Sequence, residues 1–309
     1  MGHAWHVGAL SGLAGATGWD PRSAELIVGT SAGAVLGAEL RAGHHPSDLV
    51  HPGVGAAPTE APRPVLARRS YRPAAPGMVL RRLRRRPSAS LGLVAAGLVP
   101  RGRRSPAMVA ETIERLIPAW PPGLWVCTTR LADGARVVLS GDEGVDLATA
   151  VAASCAMAGF FTPVPIEGVD HVDGGSDSVT NADVVADVGL DVVVVSSPMS
   201  LDDSRGGDGS GIAARVARRR RLAHRARLLA EVAPLRSRGA HVVVLEPGAD
   251  DVAALGGIGA AMDFGRRAAA AEQARASTLR RLATAPYTEA TTVLSTTAAR
   301  LSSGPPGIP

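Results

Sequence analysis

A strand, a glycine-flanked turn and a helix follow one another near the start of the chain. Leu26-Ile27-Val28 is typical of a short buried strand, Gly29-Thr30-Ser31-Ala32-Gly33 follows it, and residues 32–42 favour a helix. In this context the G-x-S-x-G pattern predicts a strained elbow that lifts the serine hydroxyl clear of a sheet. The dipole and amides of the following helix would favour negative charge beside that hydroxyl. Ser31 is therefore a candidate nucleophile, although the same residues would also suit a plain turn in which it only caps the helix.

Apolar β-branched runs alternate with helical segments along the rest of the chain. Asp191–Ser197 and His241–Glu246 are of the kind found in sheets covered on both faces, and an arginine-rich helix is predicted between them over Ile212–Val232. Leu147–Met157 predicts another helix, with Asp146 as its cap. Strands that alternate with helices predict an α/β fold with a largely parallel sheet.

The composition restricts the class of protein. Cys127 and Cys155 each lie in an apolar stretch, which indicates small core residues in a reducing compartment. Neither has a Cys or His at a spacing typical of zinc, so we expect no metal and no cofactor. The sequence contains no apolar run near the roughly 20 residues that cross a bilayer and no pattern typical of a signal peptide. We therefore expect a cytoplasmic protein. This expectation also allows a protein that associates with the membrane from the cytoplasmic side.

A serine hydroxyl needs a neighbouring base before it becomes a good nucleophile. Among the histidines His241 is the best candidate, yet it opens a strand and lacks the turn expected around a hydrolase histidine. Asp173 is the stronger candidate, because it ends a short strand and precedes Gly174-Gly175, which let another backbone approach closely. Burial beside the serine would raise the carboxyl pKa from about 3.9 and make it a better base. The residues alone also allow an Asp-Gly-Gly turn without a catalytic role.

Two separate blocks, the elbow Gly29–Gly33 and then the segment Ala150–Asp183, resemble in this order the patatin-like phospholipase family. Ala150–Thr162 and His171–Asp183 are similar to the family's small-residue helix and its Asp-Gly-Gly-x-x-x-x-x-Asn motif. Gly29–Gly33 resembles the family's G-x-S-x-G block, and Trp125–Ser140 resembles its central hairpin. The resemblance spans most of residues 2–185.

The resemblance implies a three-layer α/β/α patatin-like fold with a mainly parallel central sheet. We predict one acyl hydrolase domain over residues 1–300 and a flexible tail over 301–309. The segment from about His44 to Ser105, rich in Pro, Gly and Arg and poor in regular periodicity, is interpreted as an inserted basic cap or lid.

The resemblance also implies a chemistry. Ser31 would attack a fatty-acyl ester, Asp173 would take up the serine proton, and water would release the fatty acid from an acyl-enzyme. Gly174 and Gly175 would support the turn, and phospholipid or another acyl-ester lipid would be the substrate. A catalytically silent lipid- or membrane-binding protein on the same fold is one alternative. A Ser–His–Asp triad that uses His241 is another.

The oxyanion hole of the family is a glycine-rich loop before the first helix. Residues 2–8 resemble the end of that loop and the start of the helix, and Gly2 is the glycine that corresponds. With Gly2, we expect Gly29, Ala32 and Gly33 to form the elbow and the oxyanion site. The preceding strand and most of the loop glycines have no counterpart in the sequence. A start site placed too far downstream, a trimmed chain and a degenerate, non-hydrolysing protein are the competing explanations.

The cap is strongly basic. Asp48 and Glu60 are opposed by arginines at positions 63, 68, 69, 72, 81, 82, 84, 85, 86, 101, 103 and 104, and the net charge of the chain is +5. The apolar stretch Ser90–Val99 lies between basic clusters, so the cap is predicted to contact an anionic membrane surface. A solvated basic loop and an ordinary cap helix are the alternatives. The near absence of aromatic residues argues against nucleic acid as a partner.

Overall fold

The computed structural model describes residues 1–50, 72–85, 91–202, 211–256, 264–284 and 287–302. The chain divides into two compact units. The first comprises Met1–Ala24, His44–Gly55 and Ala182–Pro309, and the second comprises Glu25–Gly43 and Ala56–Asn181. Both units draw most of their residues from the segment 1–300 that we predicted as one domain, and that assignment stays a prediction.

The second unit contains a mixed sheet. Its described strands are β1 (Ile27–Thr30), β2 (Leu124–Arg130), β3 (Arg136–Leu139), β4 (Val164–Ile166) and β5 (Val169–Asp173). The order is β1-β2-β5-β4, and β3 pairs with β2 as well. The β1–β2 pairing is parallel, whereas β2–β3, β2–β5 and β4–β5 are antiparallel.

Helices pack against this sheet through buried apolar side chains. They are α2 (Ala32–Arg41), α3 (Pro76–Arg85), α4 (Leu91–Leu98), α5 (Ala107–Leu116) and α6 (Leu147–Ser154). Leu124 and Val126 of β2 lie at the centre of the core, with Ala34 of α2, Ile113 of α5 and Val151 of α6 packed around them. All five side chains are fully buried.

Three predictions about the second unit need correction. α6 ends at Ser154 rather than Met157, because the chain turns at Cys155 and Gly159 then adopts a left-handed conformation with φ 79°. β1 runs two residues further along the chain than predicted and includes Gly29 and Thr30. The cap contains the regular helices α3 and α4, because their apolar side chains Met78 and Leu93 are buried in one cluster with Val172 of β5.

The first unit contains a pair of parallel strands and several helices. They are α1 (Gly2–Thr17), β6 (Val192–Ser196), α7 (Ile212–Ser237), β7 (His241–Leu245), α8 (Ala249–Leu255), α9 (Arg267–Leu282) and α10 (Tyr287–Ser302). These strands and helices, with those of the second unit, confirm the α/β class. α7 continues past the predicted end at Val232, and α10 was not predicted. Residues 303–309 of the predicted tail lie outside the described residues.

Helices α1 and α9 approach each other closely. A Cβ on Gly8 would collide with the carbonyl oxygen of Ala271, and one on Gly12 would come within 2.8 Å of the carbonyl oxygen of Arg275. The small residues of α1 therefore serve helix packing inside the first unit. Among the described helices, none combines the length and the apolar character that crossing a bilayer requires.

Candidate active site

The ends of two strands meet along one edge of β2. β1 runs parallel to β2 and ends with Thr30 opposite Cys127, whereas β5 runs antiparallel to β2 and ends with Asp173 opposite Thr128. β3 occupies the opposite edge of β2 over the same stretch, so β1 and β5 share one edge and point toward each other. This topology brings Ser31, the residue after β1, to the carboxylate at the end of β5.

Ser31 stands in a strained turn between β1 and α2. Its backbone has φ 53° and ψ −119°, a region that L-residues rarely occupy and that costs about 1–3 kcal/mol. A Cβ on Gly29 would lie 2.7 Å from the amide nitrogen of Ala34 and 2.8 Å from the carbonyl oxygen of Gly33. The turn thus requires glycine at position 29, as the G-x-S-x-G pattern predicts.

Ser154 supports this turn from the end of α6. Its hydroxyl accepts a hydrogen bond from the Ser31 amide at 2.8 Å and donates one to the Cys127 carbonyl at 2.7 Å. The Ser154 side chain is fully buried. It connects the elbow to the central strand β2, and sequence reasoning did not single it out, although it lies within the block Ala150–Thr162.

Asp173 interacts with Gly175 and with Ser31. The Gly175 amide donates to its Oδ1 at 2.7 Å, and the Ser31 side chain lies close enough for hydrogen bonding to lower the pKa of the carboxyl. Gly174 packs against the Cys127 carbonyl group, where a Cβ would collide with the backbone of β2. Close packing against β2 therefore requires glycine at position 174, and Gly175 supplies an amide to Asp173.

Burial changes the acidity of Asp173. Desolvation raises the pKa of this carboxyl to about 6, although the hydrogen bonds from Ser31 and Gly175 act in the opposite direction. At neutral pH the group is largely ionised, and its conjugate acid is weaker than that of an exposed aspartate. Such a carboxylate is suited to accept a proton from a hydroxyl group and return it.

Asn181 connects the Asp-Gly-Gly loop to β1. Its side-chain amide donates to Thr30 Oγ1 at 2.9 Å and to the Ser178 carbonyl at 2.7 Å, and Arg136 donates to its Oδ1 at 3.2 Å. The residue is fully buried and has φ 50°, a conformation that Asn tolerates better than most residues. Asn181 was recognised as part of the motif, but its contact with Thr30 depends on the tertiary structure.

Cys155 lies beside the same two side chains. Burial, and then the negative charge of Asp173, raise the pKa of its thiol, while a hydrogen bond with Ser31 acts in the opposite direction. Cys127 is fully buried in β2, as predicted. The prediction that Cys155 is simply a core residue misses its contact with Ser31.

The remaining candidate residues belong to several different elements. His171 is buried and its Nδ1 is 2.9 Å from Thr128 Oγ1. His241 is exposed at the start of β7, and Gly2 begins α1, both in the first unit. Ala32 begins α2 directly after Ser31. Among the described residues, no group of three or more His, Cys, Asp or Glu side chains is placed to hold a metal ion.

A family model described as patatin-like phospholipase matches residues 1–192. The matched segment is more than half of the chain, and it contains the elbow at Ser31 and the turn at Asp173. It agrees with the α/β architecture of the structure and with the patatin-like α/β/α fold that we predicted. A search of curated proteins finds no significant match.

Proposed function

Since the chain belongs to the patatin-like phospholipase family, we propose that it is a lipid acyl hydrolase whose catalytic residues are Ser31 and Asp173. Family membership places the chain among hydrolases of lipid esters. The specific dyad is supported by one observation above all, that the ends of β1 and β5 bring the Ser31 side chain within interaction range of the buried Asp173 carboxyl.

In the first half of the reaction, Ser31 Oγ attacks the carbonyl carbon of the ester while Asp173 accepts the hydroxyl proton. The negative charge that develops on the carbonyl oxygen would be stabilised by the amides of Ala32 and Gly33, which open α2. The first amides of a helix have no intrahelical acceptor, and they point along the positive end of its dipole. Protonated Asp173 then donates its proton to the leaving alcohol, and the acyl group stays on Ser31.

In the second half, water attacks the acyl-enzyme and Asp173 accepts the proton that the water loses. The tetrahedral intermediate then expels Ser31 Oγ, which regains its proton from Asp173, and the fatty acid leaves. Each half of the reaction returns Asp173 to its starting state, so one carboxylate with a pKa of about 6 serves as base and acid in turn. We expect neither a metal nor a cofactor to take part.

Gly2 is proposed as an additional part of the oxyanion site, on the resemblance of residues 2–8 to the end of the family's glycine-rich loop. Loss of one oxyanion donor typically lowers turnover about 10²–10³-fold. Gly2→Pro, which removes the backbone N–H, is therefore expected to lower kcat in that range. An unchanged kcat would remove Gly2 from the proposed site.

The experiment that tests the dyad combines ester hydrolysis with covalent labelling. Phospholipid and p-nitrophenyl ester hydrolysis are measured for the full chain and for Ser31→Ala, Asp173→Asn and His241→Ala. Asp170→Asn is the matched control, because Asp170 is a partly exposed carboxylate on the same strand that pairs with Arg101. A fluorophosphonate probe followed by peptide mass spectrometry identifies the nucleophile. We expect loss of activity with the first two variants and a label on Ser31.

The outcomes separate the alternatives. Loss of activity in His241→Ala would indicate a Ser–His–Asp triad instead. A folded wild-type chain that hydrolyses no ester and takes no label would indicate the silent lipid-binding protein. We also propose a cytoplasmic location with peripheral contact to anionic membranes and no nucleic-acid partner, which cell fractionation and a nucleic-acid binding assay test.

A further inference from the structure

The cap helices α3 and α4 are packed on the strand and loop that carry Asp173. Met78 of α3 and Leu93 of α4 are buried in one cluster with Val172, the neighbour of Asp173 in β5. A Cβ on Gly92 of α4 would lie 2.8 Å from the carbonyl oxygen of Ser176, in the Asp-Gly-Gly loop. The helical pair is therefore held on the candidate active site by close packing.

The opposite side of α3 exposes large apolar side chains. Leu80 is 55% exposed and Leu83 is 42% exposed, and their spacing of three residues places them on one face of the helix. Leu98, at the end of α4, is 50% exposed. Single exposed leucines are ordinary, but here α3 buries Met78 and Val79 and still presents a second apolar side. We call Leu80 and Leu83 the α3 leucine face.

The stretch of sequence that contains this face is positively charged. The sequence has no Asp or Glu from Ala61 to Ala110, while it has 12 arginines over the same stretch. Arg81, next to the face, is exposed and donates to the Ala132 carbonyl at 2.6 Å. The carboxylates that face this part of the cap are Asp177, 4.0 Å from Arg82, and Asp170, which pairs with Arg101. Both acids lie outside α3 and α4, and the charged residues of α3 itself are all arginines.

We propose that the α3 leucine face docks on a membrane surface rich in anionic phospholipid. Apolar side chains flanked by arginines match the two parts of such a surface, since leucines enter the acyl-chain boundary and guanidinium groups bind the phosphates. The inference rests on the proposed function, because docking there would deliver lipid substrate to the strand that ends at Asp173. A nucleic acid fits this surface less well, since α3 and α4 contain no aromatic residue for stacking on bases.

The test measures binding and hydrolysis separately. Co-sedimentation uses the full chain carrying Ser31→Ala, so that the vesicles stay intact, with vesicles of phosphatidylcholine alone or mixed with phosphatidylglycerol. The variant Leu80→Ser/Leu83→Ser removes the apolar side chains without changing charge. Leu229→Ser is the matched control, because Leu229 has the same 42% exposure as Leu83 and lies on the arginine-rich helix α7.

We expect binding to the mixed vesicles and weak binding to phosphatidylcholine alone. The double variant should lose at least about tenfold in partition coefficient, whereas Leu229→Ser should not change it. Binding should also weaken when salt is raised from about 0.1 M to about 0.5 M. Hydrolysis of a soluble short-chain ester, measured with Ser31 intact, should be the same in the wild type and the leucine variant.

Two results would overturn the proposal. One is equal vesicle binding by the wild type and the double leucine variant. The other is binding of single-stranded DNA that is as tight as vesicle binding and insensitive to the leucines, which would indicate a general polyanion surface. A chain that binds vesicles through the α3 leucine face but hydrolyses no soluble ester would refute the proposed hydrolase while leaving the docking face in place.

Discussion

The Ser154 hydroxyl accepts a hydrogen bond from the amide of Ser31 at 2.8 Å, across 123 residues of sequence. It also donates to the Cys127 carbonyl, so one buried side chain connects the strained elbow to β2. Ser154 is thereby a positioning residue for the proposed nucleophile, because it contacts the backbone of Ser31 and helps to hold an unfavourable conformation.

Replacing Ser154 by Ala should lower kcat about 10–100-fold with little change in KM, since the misplaced nucleophile affects the transition state more than binding. The partly buried Ser31 amide loses its acceptor, so the free energy of unfolding in urea should also fall by about 1–3 kcal/mol. Thr149→Val is the control, because it removes a hydroxyl from the same helix that donates to Asp146 near the surface. Equal activity of Ser154→Ala and the wild type would contradict the positioning role.

The pH dependence of hydrolysis should follow the ionisation of Asp173. Burial raises the pKa of this carboxyl to about 6, and the ionised form is the base, so kcat/KM should rise tenfold per pH unit below that value and level off above it. The measurement is a profile from about pH 4 to 8 with a soluble ester. A midpoint near 4 would indicate a carboxylate in an ordinary environment, and a rise that His241→Ala abolishes would indicate a histidine base.

The same pKa shift predicts a pH-dependent effect on folding. The pKa of Asp173 is higher in the folded state, about 6 against 3.8, so the folded protein binds the proton more tightly and ionisation destabilises it. The destabilisation is absent below about pH 4, develops between about 4 and 6, and is complete above 6. The free energy of unfolding of Asp173→Asn, measured in urea relative to that of the wild type, should therefore rise by about 1–3 kcal/mol from pH 4 to pH 8. A difference that does not change with pH would contradict the raised pKa.

The contact between Asn181 and Thr30 should matter for activity. Asn181→Ala leaves Thr30 Oγ1 and the Ser178 carbonyl without this donor and Arg136 without this acceptor, so we expect at least about a tenfold loss in kcat together with lower stability. Thr30→Val removes a single acceptor and keeps the shape of the side chain, and its effect should be smaller. The ester assay and thermal unfolding are measured together, and the reverse order of the two effects would refute this account.

Two glycine substitutions in α1 should have opposite effects on stability. Gly8→Ala forces a methyl group against the Ala271 carbonyl of α9, and it should cost several kcal/mol or prevent folding. At Gly15 the nearest atom to a Cβ is Leu279 Cδ2 at 3.9 Å, so Gly15→Ala should stabilise the helix by about 0.5–1 kcal/mol. The midpoints of thermal unfolding compare the two variants, and similar midpoints would show that α1 and α9 do not pack as closely as described.

The sequence alone determined the features that depend on neighbouring residues. The elbow at Ser31 could be predicted because a buried strand, close glycines and a helix stand next to one another, and the turn at Asp173 could be predicted because it falls within a contiguous motif. The α/β class followed from the alternation of apolar runs and helices. Each of these patterns is made of residues that are close in sequence, so it can be recognised without knowing which distant residues will be in contact.

The tertiary structure decided how the distant parts meet. Strand direction and register bring the ends of β1 and β5 together along β2, and no pattern within either strand encodes that pairing, because register depends on the partner. Ser154 acquired its role in the same way, since its bond with Ser31 exists once α6 packs against β2. The helices of the cap could not be predicted from the arginine-rich sequence. They form because Met78 and Leu93 are buried in one cluster with Val172. Burial of Asp173, and the basicity that follows from it, is likewise a property of the folded chain, since desolvation requires the surrounding residues to be in place.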